Sequence, residues 1–475
     1  MELEILPKGW KWETLENIAT VVRGASPRPK GDPRYFGGSI PWIMISDISR
    51  EKGKYISKTK DHVTEGGAKL SRLLNTGTLI LSNSGTICVP KILAVDGCIH
   101  DGFIAFLDLK HDVDKLYLYY YLDKIRPIIM AENQRGVTQV NLNTNIVKKI
   151  SIPLPPLPEQ RRIVARVEAL LSQVNAARKR LNRVPLIMKR FRQVVLAAAC
   201  SGRLTEGWRE EHPDVEHAEN ALNTFNRIFK LDKKKIRKRG TLGMPEIELP
   251  DNLPKSWTIK KIKELVDIGA IFDYQDGNHG ELYPRQSDFG EVGVKFLTAT
   301  QVFDNKVQLA EAPLLKKEKA LQLRIGFAQP RDVLLTHNAT VGRVALMPDN
   351  CGEIILGTSV TYYRLNPEFI DPNYCCFMMQ GPLWQSQLRV IMEQTTRNQV
   401  SITKQAEFFI PIPPILEQHE IVRHVNALFM LADQIEHQVA GATKRTEALT
   451  QAVLAKAFQG ELVATDAELS RKELE

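Results

Sequence analysis

Apolar residues along this chain fall into two rhythms, and the pair occurs twice. Over residues 1–150 and 251–409, short apolar runs such as IPWIMI (40–45), TLILS (78–82), VKFLTA (294–299) and DVLLT (332–336) are separated by Gly, Asn, Asp and Ser turns. That is the pattern of β-strands. Over residues 151–205 and 410–463 the spacing changes to alternating four- and three-residue steps. Ile163, Val167, Leu170, Val174, Ala177, Leu181 and Val184 keep those steps until Pro185 interrupts them. Ile421, Val425, Leu428, Ala432, Ile435, Val439, Ala442, Leu449 and Val453 keep them as well, with Thr446 in the one gap. A 3.5-residue period is the narrow a/d seam of a coiled coil. Two helices each packed on its own domain would also hide one face, but a globular face is broader than this stripe. The pattern therefore predicts an α+β chain of two β-rich heads, each followed by a long helix.

The duplication extends to the letters. IPLPPLPEQRRIV (152–164) returns as IPIPPILEQHEIV (410–422), and VLAAACSGRL (195–204) returns at the same offset of 258 as VLAKAFQGEL (453–462). LPKGW (6–10) returns as LPKSW (253–257), and LILSNSGTI (79–87) matches VLLTHNATV (333–341) in pattern. A constant offset means the junction and its helix were copied as one rigid unit. Prolines stiffen the exit from each head, and Glu159 and Glu417 put negative charge in a first helical turn, where the helix dipole favours it. Gly202 and Gly460 stand where each helical pattern runs out, as C-cap glycines do. The expected organisation is a head over 1–150, a first constant region over 151–205, a basic linker over 206–250, a second head over 251–409 and a second constant region over 410–475.

Composition narrows the function without fixing it. With 43% apolar and 25% charged residues in 475, this is a globular chain long enough for several domains. A formal charge of +9 favours an anionic partner, nucleic acid before membrane. The N-terminus MELEILPKGW lacks a signal-peptide pattern, and no apolar run reaches membrane-spanning length. Six scattered cysteines without a C-x-x-C pair fit a reduced, cytoplasmic protein without a structural metal. HEIVRH (419–424) has one residue too many for the zinc motif H-E-x-x-H, so His419 and His424 read as solvent-facing. NPEF (366–369) reads as a turn, with no glycine-rich strand–turn–helix to hold a methyl donor. There is no G-x-x-x-x-G-K-[ST] and no G-x-S-x-G, so nothing points to catalysis by this chain and a self-contained nuclease or methyltransferase is disfavoured. The basic run KLDKKKIRKRG (230–240) reads as a solvated linker or as a phosphate contact.

The duplicated plan, PLPPLPEQRRIV, MKRFRQVVLAAACSGRLTEGWR (188–209) and the LPKGW/LPKSW openings resemble the DNA-specificity subunit of type I restriction–modification enzymes. The resemblance covers essentially the whole chain; it is specific in the constant regions and architectural in the heads. It implies two target-recognition domains joined by an antiparallel coiled coil with pseudo-two-fold symmetry. It also implies double-stranded DNA, two methyltransferase subunits and two restriction subunits as partners, and no membrane. S-adenosylmethionine, ATP and Mg would then act in the partners, with no cofactor, metal or catalytic residue in this chain. A scaffold with two protein-binding heads is the alternative.

Arg pairs guanine edges, while Asn and Gln pair adenine edges, so polar loop residues are the candidate DNA contacts. In the first head these are Arg23, Arg28, Lys30 and Arg34, then Ser82, Asn83 and Ser84, then Arg135, Thr138 and Gln139. In the second they are Tyr274, Gln275, Asn278, His279 and Arg285, then Thr336, His337, Asn338 and Thr340, then Arg397, Asn398 and Gln399. The seam from Ile163 to Val184 would be roughly 32 Å long at 1.5 Å per residue, enough with its flanks to span one turn of B-DNA.

Overall fold

The structure, a computed structural model, describes residues 6–51, 53–134, 142–229, 249–250, 252–303, 305–393 and 398–472. The chain forms two compact units, Met1–Asn182 with Val439–Glu475, and Arg183–Gln438.

In the first unit a five-stranded sheet runs in the order Thr20–Arg23, Phe103–Leu107, Leu79–Ser82, Pro90–Leu93, Tyr55–Ile56. Its central strands, LILS and FIAFL, are apolar on both faces because both faces are covered. Leu79, Leu81, Ile104 and Phe106 look into a core with the helix Lys115–Gln134. Ile80, Phe103 and Ala105 look into another, shared with Ile43 and Ile99 of a four-stranded sheet. In that sheet Phe36–Ile43 runs parallel to Gly97–Ile99, with Ile43 opposite Ile99.

The second unit repeats this plan with different residues. Its four-stranded sheet is ordered Ile271–Asp276, Val360–Leu365, Val333–Thr336, Val344–Leu346. Val333, Leu335 and Tyr363 face the helical core, while Leu334, Val360 and Tyr362 face the other side. Val294–Leu297 runs parallel to Ile354–Leu356 with Leu297 opposite Leu356, the counterpart of the Ile43–Ile99 pairing. Each head is closed by a two-stranded ladder between its opening segment and its exit: Lys11–Thr14 with Ser151–Leu154, and Thr258–Lys261 with Phe409–Ile412.

The constant regions are helical but unequal. The first consists of Leu157–Leu181 and Val184–Cys200, parted at Asn182–Arg183. Pro185 has no N–H to give to the Leu181 carbonyl, so the hydrogen-bond ladder is interrupted there although Asn182 and Arg183 keep right-handed helical angles. The second, Ile415–Phe458, runs 44 residues without interruption. At the place corresponding to Pro185 it carries Thr443, whose hydroxyl donates to the Val439 carbonyl at 2.9 Å. Gly202 and Gly460 have φ of 76° and 77°, left-handed positions just beyond the helix ends.

Along the first stripe Ile163 and Val167 are buried, and Leu170, Val174, Ala177, Leu181 and Val184 are half-buried. In the second, Ile421, Val425, Ala432 and Thr446 are buried, and Leu428, Ile435, Val439, Ala442 and Val453 are half-buried. Leu449 departs from the expectation: it is 50% exposed. The half-buried and buried row steps instead from Thr446 to Thr450 and Leu454, following the helix's own 3.6 period toward a broader apolar face.

That face completes a head. Leu454, Ala457 and Phe458 belong to the core of the first unit, where Tyr117 and Tyr121 pack on Phe458 at centroid distances of 4.9 and 5.1 Å. Correspondingly, Leu196, Ala199 and Cys200 belong to the core of the second unit. So the start of a head's own constant region and the end of the other constant region both line its core. In the second unit, Thr205 bonds Glu417 and Arg192 bonds Glu436, so the two chain segments pass in opposite directions. Residues 206–229, expected as part of a linker, instead contain helices Glu206–Glu211 and Ala218–Phe229, with Ala218 and Leu222 in the core. The run at 230–240 lies outside the described residues. Asn366–Phe369 forms a turn, with the Phe369 N–H donating to the Asn366 carbonyl at 3.1 Å.

Candidate nucleic-acid interface

Three backbone segments meet at the same end of each head's central sheet. In the first head the strand Thr20–Arg23 leads into Gly24, whose N–H donates to the Phe103 carbonyl at 2.9 Å. In the second, Ile271–Asp276 leads into Gly277, whose N–H donates to Val360 at 2.9 Å. A Cβ at Gly24 would lie 2.2 Å from the His100 carbonyl oxygen, and one at Gly277 would lie 2.0 Å from that of Gly357. Only glycine allows the strand end this close to the neighbouring turn.

The SNSGT and THNAT stretches are one turn built twice. Ser82 Oγ accepts the Val89 N–H at 2.9 Å, and Thr336 Oγ1 accepts the Arg343 N–H at 3.0 Å. The next residue is anchored identically: Asn83 N–H donates to Gly102 at 2.8 Å and His337 N–H to Ser359 at 3.0 Å. Gly85 and Ala339, then Cys88 and Gly342, take left-handed backbone angles at matching places.

These bonds decide which polar residues are available. Ser82 and Thr336 are fully buried and close the turn, so they do not reach outward. Tyr274 is buried and stacks on Tyr363 at 5.8 Å, and Asn278 is buried with its Nδ2 donating to Ile325 and Leu356 carbonyls at 2.8 and 3.2 Å. These four were expected as readers; here each is buried and bonded or stacked within the fold. Asn83 and His337 are also buried, although Asn83 Oδ1 and both ring nitrogens of His337 lack a hydrogen-bond partner. His337 Nε2 lies 3.4 Å from Asp276 Oδ1, close enough for charge to be felt without hydrogen-bond geometry. Burial lowers the His337 pKa below 6.5, outweighing the pull of Asp276.

The accessible candidates cluster around this frame. Arg23, Arg28, Lys30 and Arg34 are exposed on the first loop, and Ser84 is half-buried. Arg23 Nε donates to the Asp101 carbonyl at 2.7 Å, and Ser26 Oγ donates to the Asp101 carboxylate at 2.8 Å. Burial acts to raise the Asp101 pKa, but the Ser26 hydroxyl, His100, Arg23 and Arg28 together hold it below the usual carboxylate value. Burial lowers the His100 pKa, and Arg28, Lys30 and Arg23 add to that effect, so basic side chains gather around this turn. Arg34 is clasped by Asp32 through contacts of 2.7 to 3.1 Å.

In the second head His279 and Arg285 are exposed and Gln275 is half-buried. Asn338 is half-buried and Thr340 exposed, and Asn338 bridges to exposed Gln399 while Ala339 N–H donates to Asn398 at 3.0 Å. Arg285 opens the short helix Gln286–Asp288, its N–H donating to Asp288 at 2.8 Å. Arg135, Thr138, Gln139 and Arg397 lie outside the described residues. A cleft of about 610 Å³ beside the THNAT turn is lined by Asn338 and Thr340, and also by Thr300, Gln308 and Arg343, which sequence reasoning missed. Arg343 lies over the Phe303 ring at 5.1 Å. Nothing in its strand-like surroundings marked it, just as CIHDG (98–102) gave no sign that His100 and Asp101 would lie among Arg23, Ser26 and Arg28.

His419 and His424 sit on the second constant helix, where His424 Nε2 is 2.8 Å from Glu420 and His419 Nε2 is 3.9 Å from Asp371. Among the described residues no group of three or more His, Cys, Asp or Glu could hold a metal ion, and no helix is long and apolar enough to cross a membrane.

A family model for the type I restriction modification DNA specificity domain matches residues 7–186 and again 254–440. The chain belongs to the type I restriction–modification specificity family. As a type I specificity chain, its role is DNA sequence specificity. It is 31% identical over 353 residues to the EcoBI specificity subunit of Escherichia coli, a stretch covering 74% of this chain and 66% of that relative. The StySPI specificity subunit of Salmonella potsdam is 27% identical over 472 residues, covering 97% and 90%. A chain solved in work on complex assembly and conformational transition of the type I R-M system shares the type I specificity fold at a TM-score of 0.65 and 20% identity, covering 97% of this chain and all of that one. The HsdS subunit from Thermoanaerobacter tengcongensis shares it at 0.55 and 20% identity, covering 96% and 98%.

Proposed function

We propose that this chain reads an asymmetric, bipartite DNA target, one half-site with each head, and directs two methyltransferase and two restriction subunits to it. The observation that carries the reading is the duplicated turn: Ser82 and Thr336 make the same closing bond, while the accessible residues around it differ. One frame with two sets of side chains suits two different half-sites. Arg23, Arg28, Lys30, Arg34 and Ser84 contact one half-site, and Gln275, His279, Arg285, Asn338, Thr340, Asn398 and Gln399 contact the other. The helical stripes pair as an antiparallel coiled coil, and the matching constant regions dock two copies of one partner.

Methylation and ATP-driven cleavage are the partners' chemistry, with S-adenosylmethionine, ATP and Mg bound there, and the complex works in the cytoplasm. The protein-binding scaffold is not favoured, because the family is one of DNA specificity. The test is a salt-dependent gel shift of the chain with its methyltransferase, followed by mapping of methylated adenines. Arg28→Ala combined with Asn338→Ala should weaken binding and relax the methylation pattern at defined positions. An unchanged affinity and pattern would refute this assignment of the loops.

A further inference from the structure

The repeated Glu-Gln at each head's exit is bonded through both side chains to matching partners in the two units. Gln160 is fully buried; its Oε1 accepts the Asp114 N–H at 2.8 Å, and its Nε2 donates to the Pro155 and Asp112 carbonyls, both at 2.8 Å. Gln418 is fully buried too, accepting from Asp371 N–H at 2.9 Å and donating to Pro413 and Phe369 at 2.9 and 2.7 Å. Asp114 and Asp371 in turn cap the next helix, accepting from the N–H groups of Tyr117 and Tyr374 at 3.1 Å each. The hydroxyls of those tyrosines close the ring on Pro153 and Pro411 carbonyls at 2.6 and 2.8 Å. Beside each ring, Trp10 Nε1 donates to Glu159 at 2.8 Å, and Trp257 Nε1 donates to Glu417 at 2.9 Å.

Each constant helix is therefore tied in its first turn to the head's opening tryptophan, to the proline strand that leads into it and to the cap of the head's own helix. Burial of apolar surface could hold the parts together over a range of angles. A buried polar ring holds one, since any rotation leaves donors or acceptors unpaired at a cost. The same ring has been kept in two heads whose outward residues differ.

From this geometry we infer that Glu159–Gln160 and Glu417–Gln418 are positioning residues that fix the direction in which each rod leaves its head, and so set the number of base pairs between the half-sites. The inference rests on the bipartite reading above. Successive base pairs are about 3.4 Å apart and turn by roughly a tenth of a helical repeat, so a small angular freedom at the exit is enough to admit a neighbouring spacing.

The experiment uses the full chain assembled with its methyltransferase and a panel of duplexes that keep both half-sites and vary only the spacer. Gln160→Leu and Gln418→Leu each remove one ring; Trp10→Phe and Trp257→Phe weaken the same junctions more gently if the leucine variants do not assemble. The half-site sequences should stay as in the parent. The affinity ratio between the best spacer and one a base pair longer should fall by about tenfold, the scale of one lost sequence contact. A lowered melting temperature with an unchanged ratio would overturn the inference and leave the pairs a purely structural role. A parent complex indifferent to spacer length would instead overturn the bipartite reading beneath it.

Discussion

On the proposed assignment of the loops, Thr336 provides a direct way to separate a residue that builds the turn from one that contacts a base. Replacing it with Val keeps its shape and its fully buried position but removes the oxygen that accepts the Arg343 N–H at 3.0 Å. Val for Thr is not an innocent exchange, because the orphaned N–H stays inside the turn. Leaving a buried donor unpaired costs roughly 1–3 kcal/mol. For a unit of this size each kcal/mol lowers the melting temperature by about 2–4 °C, so a fall of roughly 2–12 °C is expected. Ser82→Ala should do the same to the first head, where the Val89 N–H at 2.9 Å loses its acceptor. Thermal unfolding followed by circular dichroism measures the loss, and methylation mapping measures specificity on the same preparation. Binding should weaken alike for all sequences, since the turn loosens without losing a base contact. A variant with unaltered stability whose methylation pattern relaxes at one base pair would refute this, and would make Thr336 a reader.

Leu428→Glu places a carboxylate at a half-buried stripe position packed on the second unit's core, and should cost about 1–3 kcal/mol together with specific binding while the heads stay folded; normal assembly of this variant would count against the paired-helix arrangement. The pH response of the second head should depend on His337, which faces Asp276 and His279. Because burial keeps its pKa below 6.5, the unfolded chain takes up the proton first, so stability is full above that pH and declines as pH falls through it toward the lower folded value. His337→Gln should flatten unfolding temperature measured between neutral and mildly acidic pH, and parallel curves for the two proteins would exclude His337 as the cause.

Much of the architecture could be read from the chain because periodicity reports burial. The strand runs, the interruption just before Pro185 and the left-handed glycines at 202 and 460 all follow from local rules. Periodicity does not report the partner. Nothing in VLAKAFQGEL says that Leu454, Ala457 and Phe458 finish a head more than three hundred residues earlier, nor that the stripe drifts off Leu449 on the way. The helix at Ala218–Phe229 was hidden by its neighbourhood of polar and basic residues. The candidate contact residues were least legible, for a chemical reason. A hydroxyl or amide suited to a base edge is equally suited to a backbone group, and Ser82, Thr336 and Asn278 are used for backbone. Arg343 went unmarked because its backbone closes the turn as Val89 does and its strand-like surroundings do not single out its side chain.

Pro185 breaks the chain's internal symmetry in stiffness rather than in shape. An unbroken helix such as Ile415–Phe458 resists bending through a continuous ladder of hydrogen bonds, and opens from its ends or not at all. The divided one, Leu157–Leu181 and Val184–Cys200, carries an interior pair of ends at which opening needs no new nucleus. Of two helical regions written from the same text, one keeps its hydrogen-bond ladder throughout and the other carries a gap in it where Pro185 has no N–H to give.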